Sequence, residues 1–365
     1  MNCLERLEAT MQGEATDRPP FAAYQRIPLN FMSGESSGTA ALALAEFLEV
    51  DIAVMPFCYG YPASQPLSFD RPLDLAELEA CHGTTGVWSK QLDALRRLSK
   101  GSQGRRWVIQ EVPSPWGLLF ELAGRELVLK SLRENPGFVK KALETLTESL
   151  TSFVRCSLQE ETQGILYRNP AMSFEIMQPK EYQVWGLGYD QGILEVAKDC
   201  PLVVQQFVGP KCYVREVGDL PVTAFGWSTA TGPRMDISQP RFGRVLWGGL
   251  NETMTEQSLN SWRGHVEDVL RDSRQTNWIC SLGEPLAPGL SLSKMTALKE
   301  AVFSYRRPRE PKDGLSDGPD GEAPRRPRKN REEYEKPAPK LLEPPIPPKG
   351  AKTRIVERPA PEQTS

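Results

Sequence analysis

A chain of 365 residues, 39% hydrophobic and 25% charged, can bury one large core or two ordinary ones, although that apolar fraction is low for a compact domain. The shortfall sits at one end: 15 of the 44 basic residues, 11 of the 47 acidic ones and 13 of the 32 prolines follow residue 305, leaving about −7 on the first 305 residues and about +4 on the rest. Seven scattered cysteines without a CxxC exclude a disulfide framework, and with a charged, helix-like start and no apolar run approaching about 18 residues, neither secretion nor a membrane span is expected, which points to the cytoplasm.

In chain order, Asn2 to Gln12 predicts a short helix with Leu4, Leu7 and Met11 on one face, ended by the run from Gly13 to Pro20, whose paired prolines exclude helix. Phe21 to Tyr24 is the first strand candidate. Gly38 to Leu48 reads as helix, Ile52 to Phe57 as a second strand, Gln91 to Leu98 as helix, and Trp107 to Gln110 as a third strand with Pro113 to Gly117 as its loop. Glu126 to Cys156 is helical with a break at Asn135-Pro136, followed by strand Gly164 to Tyr167, helix Tyr182 to Val196, and strands Leu202 to Phe207 and Pro221 to Trp227. Val245 to Gly289 contains a whole repeat unit: the run Val245-Leu246-Trp247, a helix carrying Leu259, Trp262, Val266, Val269 and Leu270 at three-and-four spacing, and the run Trp278-Ile279-Cys280. Eight strand candidates, mostly alternating with helices, predict a (β/α)8 TIM barrel over residues 1–305, with ligands expected at the loops after the strands, among them Asn251, Glu252 and Gly283-Glu284-Pro285.

Several stretches, taken together and in order, resemble the uroporphyrinogen decarboxylase superfamily, which includes zinc-dependent methyltransferases acting on corrinoid or thiol substrates. They are Arg6, Gly13, Asp17-Arg18 and Pro20 in the opening; VPSPWGLLFELAG at 112–124; GGLNET at 248–253; and ICSLGEPLAPG at 279–289. Tyr167, Tyr182 and Tyr189 look like a tyrosine strand and helix found in some relatives. The resemblance implies a small-molecule substrate, tetrapyrrole, corrinoid-linked or other, at the barrel mouth, with decarboxylase (lyase, porphyrin metabolism) or methyltransferase chemistry. The departures weigh against both. Where the methyltransferases hold zinc through His-x-Cys and a distant cysteine, this chain has Gln206, Val208 and Glu284, so no metal and no other cofactor is expected. Where the decarboxylase has an aspartate, an arginine pair and a tyrosine, it has Cys58, Gln25-Arg26 and Glu121. The function implied is thus either a superfamily enzyme with most catalytic and zinc positions replaced, or an inactive barrel serving as a binding scaffold.

The candidate catalytic residues are Arg26, Glu121, Tyr167 and Glu284; Gln25, Cys58, Gln206 and Trp227 are candidates for substrate contact. Each has a plainer reading. Arg26 either clamps a carboxylate with its planar fork or is a surface arginine. Glu284 is an acid or base, or a solvated loop carboxylate. Tyr167 and Trp227 stack on a flat ligand or are core, and Cys58 is more ordinarily a small buried hydrophobe. His82 and His265, the only histidines, lack metal-site spacing. Cys212, flanked by Lys211 and Arg215, is expected to favour thiolate but to lie away from the strand end.

Residues 306–365 are too polar and proline-rich to offset chain entropy and are expected to be disordered. Pro344-Pro345-Ile346-Pro347-Pro348 favours polyproline II, either a spacer or a ligand for a groove-binding protein partner. The basic run from Arg325 to Lys329 is followed at once by Glu332, Glu333 and Glu335, so nucleic acid is not expected as a partner, nor is a membrane. A homodimer is the remaining expected assembly.

Overall fold

In the computed structural model, seven of the apolar runs form parallel strands paired strictly in sequence order: β1 (Ile52–Met55), β2 (Trp107–Pro113), β3 (Gly164–Asn169), β4 (Leu202–Phe207), β5 (Ala224–Trp227), β6 (Val245–Leu250) and β7 (Trp278–Leu282). The structure describes residues 1–26, 31–63, 67–214, 220–232, 244–272 and 277–305; the expectations for the tail lie outside them. The first run, too short to be a full strand, supplies the eighth stave. Phe21 bridges Cys280, Ala22 bridges Ile52 and Gln25 bridges Leu286, all in parallel, with Cys280 N–H donating to the Pro20 carbonyl at 2.8 Å and Ile52 N–H to the Phe21 carbonyl at 3.2 Å. The α/β barrel is thereby closed.

Strand alternation sorts the side chains into two cores. Ala22, Tyr24, Ile52, Val54, Trp107, Ile109, Leu166, Leu202, Val204, Ala224, Val245, Trp247 and Ile279 fill the lumen; the intervening residues face the helices. Helix α1 (Cys3–Gln12) plugs the lower end, placing Leu7 in the lumen cluster. The motif residues of the opening segment lock this plug. Asp51, at the foot of β1, accepts from Arg6 Nη1 at 2.8 Å, Arg18 Nη1 at 2.5 Å and the Phe21 N–H at 2.8 Å, and Arg6 also pairs with Asp17. A carboxylate this deeply buried is tolerable only with such partners.

The outer layer contains α2 (Gly34–Leu48), α3 (Val87–Ser102), α4 (Pro115–Ala123), α5 (Arg125–Glu134), α6 (Pro136–Leu158), α7 (Pro179–Trp185), α8 (Leu187–Ala197), α9 (Leu259–Asp272) and α10 (Leu292–Ser304). Three differ from expectation. The stretch expected as a loop after β2 starts α4, because Ser114 caps it by accepting the Gly117 N–H at 3.0 Å and Pro115 needs no donor at the first helical position. The single helix expected over Tyr182 to Val196 is two, broken at Gly186, where a Cβ would come within 2.2 Å of the Tyr182 ring. Helix α10 follows the last strand where no helix was expected; Ser291 starts it, its hydroxyl accepting the Lys294 N–H at 3.4 Å. Among the described residues no helix stands between β4 and β5 or between β5 and β6, and none is long and apolar enough to cross a membrane.

Candidate functional site

Toward the C-terminal ends of the strands the lumen changes from apolar to charged. On β2 and β3 the inward alternation that places Ile109 and Leu166 in the lumen continues to Glu111, with no exposed surface, and Arg168, at 8%. Glu111 is the centre. It accepts from Arg26 Nη2 at 2.6 Å and Nε at 3.3 Å, from the Phe57 N–H at 3.1 Å and from the Tyr24 hydroxyl at 3.4 Å, and it is ion-paired with Arg168 Nε at 3.1 Å. Arg168 continues the chain, donating from Nη2 to Glu284 at 2.5 Å and from Nη1 to the Tyr24 oxygen at 3.4 Å. Burial alone would lower the pKa of Arg168, but the carboxylates Glu111 and Glu284 more than offset this, so it is a permanent cation. Burial, and then Glu111, likewise raises that of Tyr24, which stays a neutral phenol.

Glu121 lies on α4 with an exposed side chain and no hydrogen-bond partner among the described residues. Crowding by protein raises its carboxyl pKa, Arg26 pulls it down, and Glu111 adds to the rise. Cys58 sits beside the cluster, its thiol pushed up to about 12 by burial and by Glu111, so it is neither a ready nucleophile nor a thiolate ligand.

Of the sequence candidates, Arg26, Glu121, Glu284, Cys58 and Gln206 come together here. Gln206 is 1% exposed and donates from Nε2 to the Gly283 carbonyl at 2.6 Å. Gln25 instead braces the rim, donating to the Ala287 carbonyl at 2.6 Å. Tyr167 and Trp227 are placed elsewhere: both alternate outward into the core between strands and helices. The Tyr167 and Tyr182 hydroxyls converge on Asp190 of α8, which also accepts from Asn169 Nδ2 at 2.6 Å, while Tyr189 does not join them. Burial raises fully enclosed Asp190 to about 6 against the pull of these three donors. Through Asn169, whose Oδ1 accepts from the Ser114 hydroxyl at 3.3 Å and the Ala171 N–H at 2.9 Å, this cluster holds the end of β3 and the start of α4, and so the backbone under Arg168 and Glu121. Among the other candidates, Asn251 caps a short 3-10 turn and its N–H donates to His265 Nε2 at 2.9 Å, Glu252 pairs with the Ser228 hydroxyl, and His82 bonds Thr84.

The residues at the zinc positions do not fit a soft metal site. The Gln206 amide is committed to Gly283, Val208 has no donor atom, and Glu284 is paired with Arg168. Among the described residues no three His, Cys, Asp or Glu side chains converge on a metal-sized site. The expectation for Cys212 needs correcting. It is buried, bridges Ser173, and lies near enough to Glu284 that burial and that charge push its thiol up to about 12, the opposite of a favoured thiolate; Arg215 lies outside the described residues.

Sequence reasoning missed Glu111 and Arg168. The available signal was an ionisable residue immediately after each of the expected runs Trp107 to Gln110 and Gly164 to Tyr167, in step with the lumen-facing positions.

The fold is similar to that of a methyltransferase from Methanosarcina mazei, with a TM-score of 0.68, 16% identity, and coverage of 83% of this chain and 98% of that one. A looser likeness, at a TM-score of 0.48 and 10% identity, is to the endo-1,4-beta-mannanase from Rhizomucor miehei, covering 80% of this chain and 96% of that one. No curated protein matches the chain by sequence. The model of the uroporphyrinogen decarboxylase (URO-D) family matches residues 59–305, which carry β1's loop through α10 and all but the first stave's share of the charged mouth. The chain belongs to that family.

Proposed function

We propose that the protein is an enzyme of the URO-D superfamily that acts on a small organic substrate at the C-terminal mouth of its barrel, by proton transfer and without a thiolate-bound zinc. The observation that carries this reading is Glu121: a carboxyl with a raised pKa, unpartnered among the described residues and open to solvent, above a carboxylate already neutralised by two arginines. A carboxyl with a raised pKa beside a carboxylate held by arginines is a pattern suited to general acid catalysis. Arg26 and Glu284 line the approach and orient the substrate. Arg168 and Glu111 keep the floor of the site rigid and dry.

The test works with an unidentified substrate. The protein is incubated with a small-molecule extract in deuterium oxide, and products are followed by mass spectrometry beside a Glu121→Gln variant. A compound that takes up solvent deuterium with wild type and not with the variant is the expected result. Identical spectra for the two proteins would remove Glu121 from the chemistry and the proposal with it.

A further inference from the structure

Among the described residues the two arginines of this mouth are already engaged with carboxylates, and that decides what chemistry is left for a ligand. Arg168 gives Nε to Glu111, Nη2 to Glu284 and Nη1 to Tyr24; Arg26 gives Nε and Nη2 to Glu111. Nη1 of Arg26 is the one guanidinium nitrogen of the pair without a partner among the described residues. A ligand carboxylate therefore finds only that one nitrogen open, and a two-pronged grip would have to displace a carboxylate that is anchored in place. Glu284 in particular cannot swing away with its backbone. The Gly283 carbonyl is held by Gln206, a Cβ at Gly283 would lie 2.2 Å from the Ser228 Cα, and the Leu286 N–H donates to the Tyr24 carbonyl at 2.8 Å.

Acceptors, by contrast, are in surplus. Glu284 bonds Arg168 through Oε2 only, and its side chain is 29% exposed. Both Glu121 oxygens are unpartnered among the described residues. Independently, Gln206 Oε1 is buried with no donor. The bond from Nε2 to Gly283 fixes the amide so that Oε1 turns the other way, over Gly226, where a Cβ would lie only 2.4 Å from it. Gln206 is also the register neighbour of Arg168, so this orphaned acceptor belongs to the same charged layer. A buried acceptor left unpaired is destabilising, and an incoming N–H recovers that loss. The charges agree: among the described residues Glu111, Glu284 and Glu121 face Arg26 and Arg168, three acids to two bases.

We infer that the mouth takes a small organic cation bearing N–H donors, a primary or secondary ammonium, in preference to a carboxylate; this rests on the mouth being the ligand site proposed above. The ammonium sits against Glu284 Oε1 and Glu121, replacing water at two carboxylates whose other neighbours are fixed. Burial of that charge is tolerable because it is met by opposite charge and by hydrogen bonds at once.

The experiment compares two probes of equal chain length, putrescine and succinate, by calorimetry on the full chain at low ionic strength. Wild type, Glu284→Gln and Glu121→Gln are used, each first shown to melt as a folded protein. Wild type is expected to bind putrescine and not succinate. Each variant should weaken putrescine at least about tenfold, equivalent to about 1.4 kcal/mol. Glu284→Gln, which frees Arg168 Nη2, should gain succinate binding. Succinate binding to wild type, abolished by Arg26→Gln, would overturn the ammonium while leaving the mouth as the ligand site. Putrescine bound equally by all three proteins would place it elsewhere on the surface and overturn the inference, as would no binding of either probe; the deuterium experiment judges the enzymatic reading separately.

Discussion

Replacing Glu111 by glutamine is the sharpest single perturbation of this structure. The side chain keeps its size, but a carboxylate that pairs with two guanidiniums and accepts from a backbone N–H and a phenol becomes an amide with one acceptor oxygen and an NH2 group turned toward guanidinium donors. Arg168 keeps Glu284 as its only carboxylate, beside the Tyr24 oxygen, and Arg26 loses the carboxylate it grips with two nitrogens. Removing one partner of a buried pair costs about 3–5 kcal/mol, because the remaining charge is left inside without compensation. With a urea slope of about 3 kcal/mol per molar, the unfolding midpoint should fall by about 1–1.7 M. Glu284→Gln at the same network, where the carboxylate is partly solvated, should cost no more than about 1 kcal/mol. The double change Glu111→Leu with Arg168→Met should recover part of the loss, since it removes both buried charges together. A loss below about 1 kcal/mol for Glu111→Gln would show that water reaches Glu111 and that the mouth is not the dry, ion-paired layer described.

Three further outcomes are expected. Asp190 has a folded-state pKa of about 6, above the ordinary carboxyl value, so its contribution to stability is present below about pH 4 and is lost as pH rises through about 6; the change is about 3 kcal/mol, and Asp190→Asn should flatten that part of the stability curve measured by chemical unfolding. An unchanged slope in the variant would assign the pH dependence to other groups. Chelators should leave the melting temperature unmoved and elemental analysis should find no stoichiometric zinc, whereas about one tightly held zinc per chain, lost on replacing Cys212 or Glu284, would restore a methyltransferase-like metal centre. Gly283→Ala, which would drive a methyl onto the Ser228 backbone, should destabilise by about 1–3 kcal/mol in thermal or urea unfolding, and a neutral result would mean that the turn after β7 is free to shift.

The barrel was legible because its strands are nearly continuous apolar runs with glycine and proline at their ends, and all eight runs expected from the sequence are staves of the structure. The site was legible only on its loops. Arg26 and Glu284 follow strands, where barrel chemistry is expected, and Glu121 lies in a motif. On β3 the aromatic residue Tyr167 draws the eye, and the residue that enters the lumen is its neighbour Arg168. A difference of one position exchanges the two faces of a strand, and an apolar run buried on both faces carries no pattern to say which is which. Glu111 was hidden for the same reason. Helix α4 was hidden by Pro115, which resembles a breaker until Ser114 before it makes it a helix start.

The way the barrel closes also sets the order in which it can be built. The first stave has no partner but β1 on one side and β7 on the other, and the pairing of Phe21 with Cys280 spans roughly 260 residues, a loop whose closure must come before its contacts stabilise anything. At a synthesis rate of about 5–20 residues per second, tens of seconds separate the emergence of the two partners. During that interval Pro20–Tyr24 presents an unpaired edge, and Glu111 and Arg168 are made well before the loop that carries Glu284. The charged mouth is therefore among the last parts of the molecule to be assembled.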